Sequence, residues 1–83
     1  MARVIPELDY ENGYIKVSLA SGVNNMGEKE TASGTFILSR SSEDTNYKLW
    51  DELYRFRLIE EFPDVDLWKD FTVEQGKHYK YSI

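Results

Sequence analysis

Apolar and polar residues alternate along several short stretches of this chain, which is the pattern expected of half-buried β-strands. The clearest alternation lies within Tyr10–Leu19, which opens with an Asn-Gly turn signal. Its inward positions are Ile15, Val17 and Leu19, and its outward positions are Lys16 and Ser18. The next segment, residues 20–34, is rich in Gly and Asn and has no sustained periodicity, so we expect a long polar loop there.

A second alternation follows in G-T-F-I-L-S-R-S-S, residues 34–42. Phe36 and Leu38 share one face, Arg40 follows in phase, and β-forming residues dominate the stretch. The pattern therefore predicts a strand. The segment S-S-E-D-T-N, residues 41–46, is typical of a turn or of the start of a helix.

The segment Tyr47–Glu61 fits two patterns. Its leucines and aromatic residues roughly follow a helical stripe, but apolar residues also alternate there with Arg55 and Arg57, as in a strand. The alternating apolar residues are Tyr54, Phe56 and Leu58. We expect a short turn or helical turn over residues 45–51 followed by a strand over residues 53–59, with a helix as the alternative.

The alternation breaks at F-P-D-V-D, residues 62–66, because Pro63 has no backbone donor and disfavours a helical Phe62. Two further strands are predicted over residues 67–73 and 78–83, joined by a turn around Gly76. Short strands separated by Gly or Asn turns predict an all-β sandwich of five or six strands.

Composition favours one folded domain over residues 1–83, because 41% of the chain is hydrophobic and 14% is aromatic. The chain has no cysteine, which excludes disulfides and thiolate metal sites. A net charge of −5 with scattered basic residues argues against a nucleic-acid partner. The first nine residues lack the apolar run of a signal peptide or a membrane helix, so we expect no membrane partner.

Two segments resemble the fibronectin type III family, especially its bacterial and phage members. Residues 34–42 look like the third strand of the family. Residues 70–83, D-F-T-V-E-Q-G-K-H-Y-K-Y-S-I, are similar to its pattern D-x-x-V-x-x-G-x-x-Y-x-Y-x-V, which covers the fifth strand, a corner and the sixth strand. The matching residues are Phe36 and Leu38 in the first segment and Asp70, Val73, Gly76, Tyr79, Tyr81 and Ile83 in the second.

The physical chemistry of these positions agrees with the resemblance. Gly76 permits the backbone angles of a sharp corner. Tyr79 lies three residues later, as in a tyrosine corner, where the hydroxyl bonds to nearby backbone. Tyr81 and Ile83 continue the inward face at a period of two. The resemblance implies an immunoglobulin-like, fibronectin type III-like β-sandwich over about residues 10–83.

This resemblance includes one large departure. The family has seven strands, and its seventh strand pairs with the sixth, whereas this sequence supplies six. We therefore expect the backbone of Tyr79–Ile83 to be unpaired along one edge, where a partner could supply the missing strand. The outward positions on this edge, which face solvent or the partner, are His78, Lys80 and Ser82.

Candidate chemical sites are few. Asp64, Asp66 and Asp70 carry the oxygen ligands that calcium prefers, but their spacing matches no calcium loop, so an acidic surface loop is the favoured interpretation. His78 is the only histidine, which excludes paired-histidine metal sites and a triad that needs a second imidazole. Adjacent carboxylates on one element do not face each other across a cleft, and no catalytic motif occurs, so we expect no enzyme activity and no cofactor.

Aromatic residues offer another candidate surface, either a sugar-binding platform or a protein-binding hot spot. The candidates are Trp50, Trp68, Tyr47 and Tyr54, although a tryptophan of such a sandwich also commonly lies in its core. A small basic stripe, which we expect to pair with acidic residues across the sheet, consists of Arg55 and Arg57.

Together these features predict a non-catalytic structural or interaction module of a larger assembly, which docks through the exposed edge strand onto a protein partner or a second copy. The resemblance implies a phage tail or other virion component, or a bacterial surface protein. Two alternatives remain: a small acidic inhibitor or ligand mimic that binds a basic host protein, and a carbohydrate-binding module built on the tryptophans.

Overall fold

The alternating stretches of the sequence form strands, and the prediction of an all-β fold is confirmed. The computed structural model describes residues 2–9 and 11–83. Its strands are β1 (Arg3–Asp9), β2 (Tyr14–Ala20), β3 (Ala32–Ser42), β4 (Asp51–Glu61), β5 (Val65–Asp70) and β6 (Tyr79–Ser82). The helical residues of this part of the chain form a single 3-10 turn, Glu43–Thr45.

The strands form two antiparallel sheets of three strands each. One sheet has the order β1-β2-β5, and the other has the order β4-β3-β6. The inward positions predicted for β2 and β3 form the core between them, because Val17, Leu19 and Leu38 are almost completely buried. These three are the fully buried hydrophobic side chains of the described residues, so the core is small.

The sequence predicts its first strand within Tyr10–Leu19, but the structure has an earlier strand, β1, at Arg3–Asp9. Tyr10 lies outside the described residues, and the predicted strand itself starts at Tyr14. Pro6 lowers the strand signal of residues 3–9, but β1 is an edge strand, where a missing backbone donor is tolerated. The predicted Asn-Gly turn joins β1 to β2, and Gly13 has a φ of 72° that favours glycine.

The ambiguous segment 47–61 contains a strand, and the helical alternative is wrong. β4 pairs with β3 so that Phe36 lies opposite Phe56 and Leu38 lies opposite Tyr54. Tertiary pairing decides this outcome, because the aromatic side chains of β4 pack against β3 and β5 on a strand period. The predicted helical turn over residues 45–51 occurs earlier, at Glu43–Thr45.

The predicted loop and the last two strands also occur, with shifted bounds. Residues 21–31 connect β2 to β3 and contain one isolated bridge between Val23 and Lys29. β5 covers residues 65–70 rather than 67–73, and β6 covers residues 79–82 rather than 78–83. Residues 71–78 therefore form a longer connection than the predicted turn around Gly76.

Candidate functional site

The candidate site is the edge formed by β6. On one side β6 pairs with β3, from Ser42 opposite Tyr79 to Ser39 opposite Ser82. Within residues 2–9 and 11–83, no strand pairs with its other side. This edge therefore leaves backbone donors and acceptors without strand partners.

The connection from β5 to β6 fixes the start of this edge. Gly76 has a φ of 84°, a left-handed conformation that favours glycine and turns the chain. The backbone N–H of Glu74 donates to the hydroxyl of Tyr79, with 2.8 Å between the two atoms. The tyrosine hydroxyl thus ties the connection to the first residue of β6, which is the geometry of a tyrosine corner.

An open groove of about 590 Å³ lies beside this corner. Its apolar walls come from both sheets and from the β5–β6 connection: Leu8, Ile15, Val73 and Tyr79. The polar part of its lining includes Asp9 and His78. Leu8 is an inward residue of β1 but stays 48% exposed, so this end of the interior is open to solvent.

A buried polar cluster that includes Tyr81 of β6 joins the two sheets. Asp70, at the end of β5, is only 2% exposed. One of its carboxylate oxygens accepts hydrogen bonds from the Arg40 guanidinium on β3 (2.7 Å) and the Tyr81 hydroxyl on β6 (2.8 Å). The other oxygen accepts from the backbone N–H (3.0 Å) and the hydroxyl (2.6 Å) of Thr72. Four donors therefore satisfy a carboxylate that has almost no contact with solvent.

Electrostatics in this cluster favour an ionised Asp70. Burial by itself raises the pKa of the carboxyl, but hydrogen bonds from Thr72, Arg40 and Tyr81 outweigh burial and hold its pKa below the usual range. Burial, and then the hydrogen bond to Asp70, raise the pKa of the Tyr81 hydroxyl far above its usual value. Tyr81 consequently remains a proton donor to Asp70 across the physiological pH range.

The aromatic candidates fall into two groups. Trp68 on β5 stacks on Tyr54 of β4, with ring centroids 4.9 Å apart, and thus spans the two sheets. The stack continues along one face through Phe56 and Phe36, at centroid distances of 5.7 and 5.6 Å. Trp68 and Tyr54 are still 37% and 38% exposed, so this side of the interior is only partly covered. Trp50, by contrast, lies just before β4 and is 47% exposed.

The outward residues of the β6 region lie on the surface as the alternation predicts. His78 is exposed, and its backbone carbonyl accepts a hydrogen bond from the N–H of Glu43 (3.0 Å). Lys80 is exposed and places its ammonium over the ring of Tyr47, 4.1 Å from the centroid. Lys77 is held by Asp44 and, within the connection, by a neighbouring glutamate, both at 2.7 Å. Its pKa is raised mainly by the hydrogen bond to Asp44.

The three aspartates considered as calcium ligands have separate partners. Asp64 binds Lys29 and Ser21, which hold the 21–31 loop against the start of β5, and Lys29 is the main cause of its lowered pKa. Asp66 lies near Lys16, at 3.8 Å, and Asp70 belongs to the buried cluster. The described residues contain no group of three or more metal-binding side chains.

The predicted cross-sheet pairing of the basic stripe is wrong for Arg55. Its guanidinium pairs with Glu52 of the same strand, at 3.1 Å, because the exposed glutamate three residues earlier is within reach. Arg57 is exposed and lies opposite Thr35 in the register of β3 and β4.

The buried cluster is the feature that sequence reasoning missed. The sequence pattern indicates Asp70 only as a motif position or a surface acid, and Arg40 only as a residue in phase with Leu38. The available signal was a charge of each sign on an inward position of a strand. Two such charges are expected to pair when the sheets meet, because burying either one alone costs several kcal/mol.

Comparisons with known proteins give no relative: no family model matches the chain, and neither a curated protein nor a solved structure is significantly similar to it. Among the described residues, no helix has the length and apolar character needed to cross a membrane.

Proposed function

We propose that this protein is a non-catalytic interaction module of a larger assembly, and that it docks by accepting a β-strand along the free side of β6. The observation that carries this proposal is the unpaired side of β6 next to the open groove. Strand addition to a sheet edge derives affinity from main-chain hydrogen bonds and specificity from pockets for alternate side chains. The free side of β6 offers the main-chain hydrogen bonds, and the groove offers the pocket for side chains.

The family resemblance supports the same position for the docked strand. The resemblance implies a fibronectin type III-like fold, in which a seventh strand pairs with the sixth. In that scheme β6 would take the place of the sixth strand, and among the described residues no strand pairs with its free side. The exposed side chain of Leu8 and the apolar groove then form the surface that such a strand would cover.

The resemblance is also the basis for the type of assembly that we propose, a phage tail or other virion component, with a bacterial surface protein as the alternative. Immunodetection in purified particles and in cell-envelope fractions of the source organism tests this part. Enrichment in particles supports the virion, and enrichment in the envelope supports the surface protein. Recovery from neither fraction contradicts both.

Extending the chain with a donor strand tests the docking mechanism. We expect a flexible Gly/Asn linker after Ile83, followed by a seven-residue strand of alternating Val and Thr, to pair with β6 in the same molecule. The added strand should raise the thermal unfolding midpoint and slow hydrogen exchange at the amides of Tyr79 and Tyr81.

A matched control carries the same linker and strand with Pro at two central positions, which removes backbone donors and prevents pairing. This control should unfold at the midpoint of the original chain. If the Val/Thr extension changes neither the midpoint nor the exchange rates, the edge of β6 does not accept a strand and the proposal is wrong.

A further inference from the structure

Four strands form the edges of the two sheets, and three of them carry features that discourage pairing with another chain. β1 contains Pro6 near its middle. β4 alternates charged residues, including Arg55 and Arg57, and its pairing with β3 is interrupted by two register shifts. β5 carries Asp66 and pairs with β2 through a register shift.

The fourth edge strand, β6, lacks these features, although it is short, with four residues. It contains no Pro, its register with β3 is continuous, and its one charged residue, Lys80, points outward. The inward residues on this strand are Tyr79 and Tyr81. Among the edges of the described residues, β6 is therefore the best suited to pair with another strand.

The register shows which backbone groups of β6 are available. The Glu43 N–H donates to the His78 carbonyl, and this pair continues the register in which Ser41 lies opposite Lys80. Alternate residues of an antiparallel strand direct both their N–H and their C=O to the same neighbour. Lys80 and Ser82 therefore bond to β3, and Tyr79, Tyr81 and Ile83 direct their backbone groups to the open side.

We infer that the strand accepted at this edge is β6 of a second copy of this chain, aligned antiparallel with Tyr81 opposite Tyr81. This inference rests on the proposed function of the β6 edge. In this alignment Tyr79 of each copy lies opposite Ile83 of the other. All three residues whose backbone groups point to the open side then have a hydrogen-bonding partner in the other copy, which gives about six interchain bonds. The result is a continuous sheet of six strands around a two-fold axis.

Side-chain placement favours this alignment. Opposite residues of an antiparallel pair project to the same side of the sheet, so Ile83 of the second copy projects inward beside Tyr79. That position faces the groove of about 590 Å³ lined by Leu8, Ile15 and Val73. Each copy thus places one isoleucine in the apolar groove of the other, and the two contacts are equivalent by symmetry.

Charge is also compatible with pairing of two copies. Each chain carries a net charge of −5, but residues 75–83 contain no acidic side chain, and they include Lys77, His78 and Lys80. Lys80 lies opposite Ser82 of the second copy rather than opposite its own equivalent, which avoids the like-charge pair that destabilises adjacent strands. The two strands that pair in this alignment therefore carry no acidic side chain.

Light scattering of the 83-residue chain over a concentration series tests the inference. We expect twice the monomer mass at high concentration and dissociation on dilution. Ile83→Asp places a carboxylate in the groove and should weaken the dimer at least about tenfold. Ser82→Asp is the matched control: its carboxylate lies on the outer face opposite Lys80 of the second copy, so the dimer should persist or strengthen.

Hydrogen exchange identifies the edge that is used. In the dimer, the amides of Tyr79 and Tyr81 should be protected, and they should exchange faster on dilution, whereas the amides of Lys80 and Ser82 should stay protected throughout. A dimer that leaves Tyr79 and Tyr81 unprotected, or that tolerates Ile83→Asp, uses another surface and overturns the inference.

A chain that remains monomeric at every concentration also overturns the inference. The donor-strand extension then separates the two ideas. If the Val/Thr extension still stabilises the monomer, β6 accepts a strand from a different chain and the proposed function stands. If that extension has no effect, both the dimer and the proposed docking mechanism are wrong.

Discussion

The two sheets meet in two chemically different regions, a buried polar cluster around Asp70 and a partly exposed stack of Trp68 on Tyr54. In the first region, a carboxylate that is 2% exposed accepts four hydrogen bonds, two of them from β3 and β6 in the other sheet. In the second, two large aromatic rings pack face to face at 4.9 Å but remain more than one-third exposed.

Between these two regions the charged group is the more buried one. This reverses the usual arrangement, in which apolar side chains are the most buried and charges the most exposed. With three fully buried hydrophobic side chains among the described residues, this small domain has a limited area over which hydrophobic burial can fix the two sheets. The Asp70 cluster supplies directional contacts between them. We therefore expect substitutions in the polar cluster to cost more stability than substitutions in the aromatic stack.

The largest effect is expected for Asp70→Ala. This change removes the carboxylate that accepts hydrogen bonds from the partly buried Arg40 guanidinium and the Tyr81 hydroxyl, and it should lower the free energy of unfolding by about 3 kcal/mol. Urea unfolding followed by circular dichroism measures the change. Asp66→Ala, on the same strand but with a side chain 72% exposed, is the control and should change stability by less than about 0.5 kcal/mol. Equal effects of the two substitutions would refute the special role of Asp70.

The same cluster predicts how stability depends on pH. Because the folded-state pKa of Asp70 is lowered, its ionised form stabilises the fold above the unfolded-state pKa of about 3.9. That contribution is lost as the pH falls below about 4 and through the folded-state pKa. The stability difference between the original chain and Asp70→Asn, measured by urea unfolding from pH 7 to pH 3, should therefore shrink in acid. A difference that does not vary with pH would contradict this assignment.

A smaller effect is expected for Trp68→Ala. The substitution removes the stack on Tyr54, but Trp68 is already 37% exposed, so the loss should be about 2 kcal/mol, below that of a fully buried tryptophan. Trp50→Ala, at a residue 47% exposed and with no ring contact among the described residues, should cost less than about 1 kcal/mol. If Trp50→Ala is the more damaging of the two in thermal unfolding, the stack does not join the sheets.

Removing one hydroxyl tests the corner that positions β6. Tyr79→Phe keeps the ring but leaves the Glu74 N–H without its acceptor, which should lower stability by about 1 kcal/mol. The amide of Glu74 should then exchange faster with solvent. Tyr14→Phe is the control, because it removes the hydroxyl of another half-buried tyrosine, whose ring contacts Phe71. It should leave the exchange of the Glu74 amide unchanged. Unchanged exchange at Glu74 in Tyr79→Phe would show that the corner does not depend on this bond.

The smallest effect, of opposite sign, is expected at a buried polar group outside the cluster. Ser41 is 1% exposed, and its hydroxyl has no hydrogen-bond partner among the described residues. Ser41→Ala removes this unsatisfied group, so stability should stay the same or rise by up to about 1 kcal/mol. Ser18→Ala, which removes a hydroxyl that donates to Asp66, should instead lower stability slightly. A marked loss of stability in Ser41→Ala would mean that the hydroxyl is bonded in solution.

Several elements could be predicted because their signals are local. Alternation at Ile15, Val17 and Leu19 indicates β2, and Gly76 indicates the turn before β6. β1 could not be predicted in the same way, because Pro6 lowers its strand signal and only its edge position makes the proline acceptable. The choice between helix and strand for β4 likewise depended on its pairing with β3.

The candidate site also combines features that have a local sequence signal with contacts that depend on the tertiary structure. Sequence by itself determined that the chain forms short strands, that Tyr79 and Tyr81 point inward and that Lys80 points outward, because the period of two is a local property. Tertiary structure alone decided that Asp70 meets Arg40 and Tyr81, that Trp68 stacks on Tyr54, and that Leu8 opens the groove beside β6. Those contacts join residues distant in the chain, and they arise only when sheet order and register bring the strands together.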